Sequence, residues 1–200
     1  MIEDALNKTD KELLYLTLKD KENYRYLIER YEDKLKWYIV RLSGLKMEDA
    51  EDILQEVFLK AYINLNDFDS NFKFSSWIYR ITHNETIIYL RKMNSRPKTI
   101  GLEVNPEFLN TLHADLNEED NLDLQYFRQN VNKIIDGLDD KYRTVLILKY
   151  LEDKDYEEIS DILKKPKGTV GILLKRAKEK VKKEILNRKN IFETYGRISQ

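Results

Sequence analysis

The 200-residue sequence has no cysteine, three prolines and six glycines, and its 35 basic and 36 acidic side chains cancel to a net charge of −1. Each shortage excludes something. Without cysteine there are no disulfides, no thiolate nucleophile and no cysteine-ligated zinc or iron–sulfur centre. The longest purely aliphatic run is Val145 to Leu148, far short of the eighteen or so residues of a membrane span. The amino terminus MIEDALNKTD lacks the basic-then-apolar order of a secretion signal. A cytoplasmic protein with no membrane insertion is therefore expected. The near-zero net charge means that any affinity for nucleic acid must arise from uneven distribution of charge.

What is present is helical period. So few glycines and prolines leave little room for the turn-rich alternation of a β protein, and long segments repeat apolar residues at three- and four-residue steps. The fold is predicted to be all-α. Thr9 with Glu12 three residues on is a capping-box pattern opening a short helix with Leu13, Leu14, Leu16 and Leu18. A second helix is expected from about Asn23 to Leu42, ended by Ser43-Gly44, with Tyr24, Leu27, Ile28, Tyr31, Leu35, Tyr38, Ile39 and Leu42 inward. A third runs from about Met47 to Leu65. Its apolar stripe is Ala50, Ile53, Leu54, Val57, Phe58, Ala61 and Tyr62, and its other side collects Glu48, Asp49, Glu51, Asp52, Gln55 and Glu56. After the loop NDFDSNFKF, Ser75 or Ser76 is expected to cap a fourth helix reaching about Lys92.

Residues 1–97 thus read as one small helical domain. Residues 98–121 lose periodicity and carry Glu103, Glu107, Asp115, Glu118, Glu119 and Asp120, which reads as an acidic flexible linker. Helical period returns in residues 122–190, a second small domain, and residues 191–200 form a tail. Within the second domain, Asp155 and Glu158 mark a helix start, KKPKG makes a short connection, and a basic helix follows from Thr169. Helix, tight turn and basic helix form a helix-turn-helix, whose second helix enters the major groove.

Two constellations suggest nucleic acid. The turn and last helix carry Lys164, Lys165, Lys167, Lys175, Arg176, Lys178, Lys180, Lys182 and Lys183 against Glu179. Such a cluster attracts phosphates and releases counterions, although a lysine-rich helix is also what a merely solvated face looks like. The fourth helix mixes Arg80, Arg91 and Lys92 with Trp77 and Tyr89, near Phe72 and Phe74, a combination suited to single-stranded DNA. Trp77 lies at core spacing beside Ile78 and Ile81 and is expected inside. No catalytic or metal pattern emerges. His83 and His113 are thirty residues apart, and DFDSNF begins like a calcium loop but has Phe72 where glycine belongs and Ile78 where the closing glutamate belongs. No cofactor and no enzymatic activity are expected.

The stretches AEDILQEVFLKAY, FSSWIYRITHN and LDDKYRTVLILKYLEDKDYEEISDILKKPKGTV with KRAKEKV, in this order and spacing, resemble bacterial RNA polymerase sigma factors of the extracytoplasmic-function (ECF) group over nearly the whole chain. The resemblance implies a promoter-specificity subunit that binds core RNA polymerase and promoter DNA. Asp52, Gln55 and Glu56 would dock on the clamp coiled coil of the largest polymerase subunit, and the second domain would reach the flap region. The physical alternative for the acids is simple complementarity to the positive end of the helix dipole, about 0.3–1 kcal/mol each. Phe68, Asn71, Phe72, Lys73, Arg80, Asn84, Arg91 and Lys92 would bind the −10 element and capture a flipped base, an amide at Asn84 offering both donor and acceptor. Lys165, Lys167, Thr169, Lys175 and Arg176 would bind the −35 duplex. The acidic linker would pass through the polymerase cleft, and an anti-sigma factor is a further implied partner.

Two departures from the family pattern stand out. Lys164 occupies a turn position where glycine is usual and positive φ is often needed, and Gly171, Ile172 and Leu173 stand where basic or polar residues are usual. Apolar side chains cannot bond guanine but can touch a thymine methyl. Two other functions compete with this one. A stand-alone helix-turn-helix regulator explains the basic helix but not the acidic one. A nucleic-acid enzyme lacks an acidic metal cluster, a phosphate-cradling glycine loop and a recognisable nucleophile.

Overall fold

A computed structural model of the chain describes residues 7–93, 110, 114, 130–131 and 133–196, with side chains to residue 187. Among the described residues there is no strand. The ordered elements are α1 (Asp10–Lys19), α2 (Tyr24–Ser43), α3 (Met47–Ile63), α4 (Phe74–Lys92), α5 (Asp140–Leu146), α6 (Tyr156–Leu163) and α7 (Lys167–Gly196). They divide between two compact units, Met1–Ile100 with Glu157–Lys165, and Gly101–Tyr156 with Pro166–Gln200. The predicted linker, save residues 110 and 114, and the predicted helix start at 122–129 lie outside the described residues.

In the first unit the sequence pattern explains each helix end. The capping box forms in full: Glu12 N–H donates to Thr9 Oγ1 at 3.3 Å and Thr9 N–H donates to Glu12 Oε2 at 2.7 Å, satisfying two amides that helix geometry leaves orphaned. Asp10 then ties α1 to α2, accepting from Arg30 at 2.8 Å and from the Tyr31 hydroxyl at 2.5 Å. Leu18, expected on the inner side, is 57% exposed, because Leu13, Leu14 and Thr17 already fill the face against α2. α2 ends where predicted, at Gly44, whose φ of 70° is the left-handed conformation that only glycine adopts without strain.

α2, α3 and α4 form the core. Tyr24, at the start of α2, donates to the Phe58 carbonyl at 2.8 Å, and its ring lies 5.1 Å from Tyr62, so α3 runs antiparallel to α2. Tyr31 meets Phe74 at 5.5 Å and Tyr38 meets Tyr79 at 5.1 Å, so α4 runs parallel to α2. Tyr38, Ile39, Leu42, Ala50, Val57, Ala61 and Ile78 are sealed from solvent. Each large side chain of this kind contributes about 1.5–3 kcal/mol of transfer free energy.

The start of α4 differs from expectation. Neither Ser75 nor Ser76 caps it; the helix begins at Phe74, behind Lys73. Burial decides this: Phe74 is 3% exposed, packed against Tyr31, Phe68 and Trp77, and that anchor draws the helix start inward past the serines.

In the second unit, residues 130, 131 and 133–136 are helical ahead of α5. Val145, Leu146, Ile147 and Leu148 are all buried at 1% or less, which an α-helix packed on one side does not permit for four consecutive residues. The chain widens there into a π-helical turn, Ile147–Leu151, with Glu152 N–H donating to the Ile147 carbonyl at 3.1 Å. The last helix starts two residues earlier than expected. The Pro166 carbonyl accepts from Thr169 at 2.8 Å and Val170 at 3.1 Å, so Lys167 and Gly168 belong to the first turn of α7 and not to the connection. At its far end α7 continues to Gly196, beyond the expected limit near Asn187.

Candidate nucleic-acid interface and an acidic docking groove

The acids of α3 separate into three groups. Glu48 and Asp49 sit in its first turn, where no side chain caps the helix and negative charge offsets the dipole. Glu51 turns to α2, its Oε1 3.5 Å from Lys36 Nζ. Asp52, Gln55 and Glu56 are exposed and line a groove of about 470 Å³ between α3 and α4, faced by Glu85, Tyr89 and Lys92. Lys60 Nζ bonds Glu85 Oε2 at 2.6 Å, fixing the spacing of the two helices. Burial, together with the carboxylates of Asp49 and Asp52, raises the Tyr89 phenol above its ordinary pKa. Further along α3 the outer surface becomes apolar, with Leu59 and Ile63 exposed. The three residues singled out in the sequence are thus brought together, and dipole compensation does not account for Gln55 and Glu56, which lie beyond the first turn.

A second feature lies at the α3–α4 loop. Asn71 N–H donates to Asp69 Oδ1 at 2.9 Å and Phe72 N–H to the Asp69 carbonyl at 3.0 Å, a tight turn that leaves the Phe72 ring exposed. Phe68, Phe72, Ser76, Trp77 and Arg80 line one pocket, with Asp67, Asp69 and, from the 157–165 segment of the same unit, Asp161 and Lys164. Trp77 is half-buried and not in the core. Its ring lies 5.3 Å from Phe68 and 5.5 Å from Phe74, because Phe74 occupies the inner position. Ser76, 1% exposed, has a buried hydroxyl with no hydrogen-bond partner on the pocket wall. Sequence reading missed it by assigning it a cap; its spacing of four from Arg80 was the available signal.

Asn84 is exposed one turn beyond Arg80, and Asn71, Lys73 and Arg91 are exposed as well. Lys92 lines the acidic groove, with Asp52 and Glu56, and not the aromatic pocket. Next to Asn84 in sequence, His83 Nδ1 lies 3.1 Å from the Tyr38 hydroxyl, and burial lowers the His83 pKa to about 4.

Lys165, Lys167, Thr169, Lys175 and Arg176 are all exposed. The inner side of α7 is apolar, with Val170, Leu173, Leu174, Ala177, Val181 and Ile185 buried. Lys164 adopts φ 51°, the left-handed conformation anticipated for that position. At Gly171 a side chain would begin 3.6 Å from the Tyr156 ring, so the phenol covers this part of α7, and Lys149 Nζ stands 5.9 Å from the same ring. Among the described residues no group of acids and histidines could hold a metal ion, and no helix is long and apolar enough to cross a membrane.

Residues 27–96 match the family model for Sigma-70 region 2, and residues 128–181 match that for Sigma-70, region 4. These two regions define an RNA polymerase sigma subunit. The ECF RNA polymerase sigma factor SigW of Bacillus subtilis is 34% identical over 170 residues, covering 83% of this chain and 90% of that protein. The ECF RNA polymerase sigma-E factor of Escherichia coli K12 is 31% identical over 172 residues, covering 83% and 88%. Among solved structures, CnrH in complex with the cytosolic domain of CnrY shares the fold with a TM-score of 0.63 at 21% identity, covering 90% of this chain and 97% of that one. Bartonella quintana RpoE, solved with the anti-sigma factor NepR, gives 0.57 at 20% identity, covering 83% and 98%. The chain belongs to the ECF sigma factors: it is a promoter-specificity subunit that binds core RNA polymerase and promoter DNA and initiates transcription. A stand-alone helix-turn-helix regulator is not favoured.

Proposed function

We propose that Asp52, Gln55 and Glu56 form the contact with the clamp coiled coil of the largest polymerase subunit. The observation that carries this reading is their joint exposure on one groove, while Glu51 is engaged by Lys36. The exposed Leu59 and Ile63 further along α3 extend the acidic patch into an apolar one, the mixture that protein interfaces use.

The aromatic pocket is assigned to a base flipped from the −10 element. Phe68, Phe72 and Trp77 offer stacking surfaces, Asn84 offers hydrogen bonds to base edges, and Asn71, Lys73, Arg80 and Arg91 hold the strand. Lys92, exposed at the end of α4, is assigned to the same strand, and its side chain also lines the acidic groove. Lys165, Lys167, Thr169, Lys175 and Arg176 bind the −35 duplex, chiefly through phosphates. The first domain is taken as 1–97 and the second as 122–190, a division that the matches at 27–96 and 128–181 support, with 98–121 as an acidic linker that occupies the polymerase cleft and 191–200 as a tail. The protein acts in the cytoplasm by binding alone, without catalysis or cofactor, contacts the polymerase flap through its second domain, and is held in check by an anti-sigma factor.

The test is binding of the purified protein to bacterial core RNA polymerase, followed by transcription of a genomic DNA library with and without it. Stable binding with new start sites is expected. Salt-sensitive duplex binding without polymerase binding would return the stand-alone regulator.

A further inference from the structure

We propose that Ile172 reads the methyl group of a thymine in the major groove, making this chain select thymine at one −35 position through an apolar contact. The inference rests on the assignment of α7 to the −35 duplex and adds to it what sets the base preference.

α7 turns its apolar residues inward almost without exception. Val170, Leu174, Ala177 and Val181 are at 2% exposure or less, and Ile172 alone among the large aliphatic side chains of the described part of α7 is exposed, at 53%. A single exposed isoleucine is ordinary on a protein surface; its position is what gives this one meaning. With 3.6 residues per turn, Gly168 lies one turn before Ile172 on the outward face, and Lys175 and Arg176 lie one turn after. All three neighbours are exposed. Gly168 is helical, and a Cβ there would meet nothing within 4 Å. The missing side chain therefore fills no internal need but leaves the first turn of α7 slim enough to approach a groove floor.

Lys175 and Arg176, one turn further on, supply affinity through phosphates, which carry no sequence information. Ile172 beside them supplies the discrimination, and isoleucine has neither donor nor acceptor. Among the base edges in the major groove only thymine presents an apolar group, its C5 methyl. Contact with that methyl favours thymine over cytosine and over uracil. The usual reading position next to it, Gly171, bears no side chain and is covered by Tyr156, which leaves Ile172 as the side chain projecting from the centre of this face.

The experiment uses the protein assembled with core polymerase. A −35 sequence is selected from randomised duplexes, and each selected thymine is then replaced by deoxyuridine, which removes the methyl and nothing else. One thymine is expected at which this replacement weakens binding about fourfold, the worth of one buried methyl-sized group. Ile172→Ala should weaken binding to the thymine duplex by a similar factor and bind thymine and deoxyuridine duplexes equally, with an unchanged thermal midpoint because the side chain is exposed. If no thymine shows methyl dependence, or if Ile172→Ala keeps the wild-type discrimination, the assignment to Ile172 is overturned while the −35 assignment stands. If no −35 sequence is selected at all and Arg176→Ala leaves duplex affinity unchanged, the assignment of α7 itself fails and takes the proposal with it.

Discussion

The Tyr38 hydroxyl and His83 Nδ1 lie 3.1 Å apart, joining the later part of α2 to the middle of α4, next in sequence to Asn84. Burial and the nearby Lys165 cation both disfavour the charged imidazole. Burial lowers the His83 pKa from 6.5 to about 4. The unfolded chain takes up this proton near pH 6.5 and the folded chain does not, so stability is complete above pH 6.5 and falls as the pH drops toward 4. Thermal unfolding of the wild type and His83→Asn across this range should show a steeper acid loss in the wild type, and parallel profiles would remove His83 from the account.

Reversing the charges at Asp52 and Glu56 should weaken binding to core polymerase at least tenfold and leave the unfolding midpoint within a few degrees. Both acids are exposed on the groove, whereas Glu51 contacts Lys36. Glu51→Lys is the control, expected to act on stability more than on polymerase affinity. Equal polymerase affinity for wild type and the double reversal would remove these acids from the docking contact.

Asn84→Ala should slow open-complex formation without altering polymerase affinity, because Asn84 is exposed on α4, whereas the acidic groove is lined from α4 by Glu85, Ile88, Tyr89 and Lys92. Permanganate footprinting of the −10 region measures the first effect and polymerase titration the second. Parallel loss of both would show that the two functions share this residue.

Lys164→Gly should stabilise the protein by about 0.5–1 kcal/mol, since a side chain at φ 51° bears a left-handed strain that glycine does not. The same change removes a cation, so duplex affinity should fall modestly and become less dependent on salt. Chemical denaturation separates the two effects; a loss of stability would mean that Lys164 makes contacts outweighing its strain.

Thr9→Ala removes the hydroxyl that accepts from Glu12 N–H and should cost about 1 kcal/mol of stability. Glu12 is held below its ordinary pKa first by the Thr9 backbone N–H and then by the Thr9 hydroxyl, so the same variant, which keeps the N–H, should raise the Glu12 pKa only part of the way in an NMR titration.

Much of the site was legible residue by residue. The capping box at Thr9, the left-handed end of α2 at Gly44 and the positive φ at Lys164 are local events, decided within one turn of chain by backbone sterics and nearby hydrogen bonds. The apolar stripes of α2 and α3 were equally plain, because helical period assigns a face without reference to any partner. The start of α4 was misread for the opposite reason. Serine capping is a local preference of about 1 kcal/mol, and burying Phe74 against Tyr31, Phe68 and Trp77 outweighs it.

The sequence by itself determined the all-α class, the family and the inventory of acids, cations and aromatics, since composition, period and motif order reside in the chain. Only tertiary packing decided which members of that inventory work together. It engaged Glu51 with Lys36 and left Asp52 and Glu56 outward, moved Trp77 from the expected core to a pocket wall, set Lys92 beside the acidic groove, and buried the hydroxyl of Ser76 without a partner. The physical reason is that helical period specifies a direction around one axis, whereas what stands in that direction depends on how neighbouring helices fill the shared core.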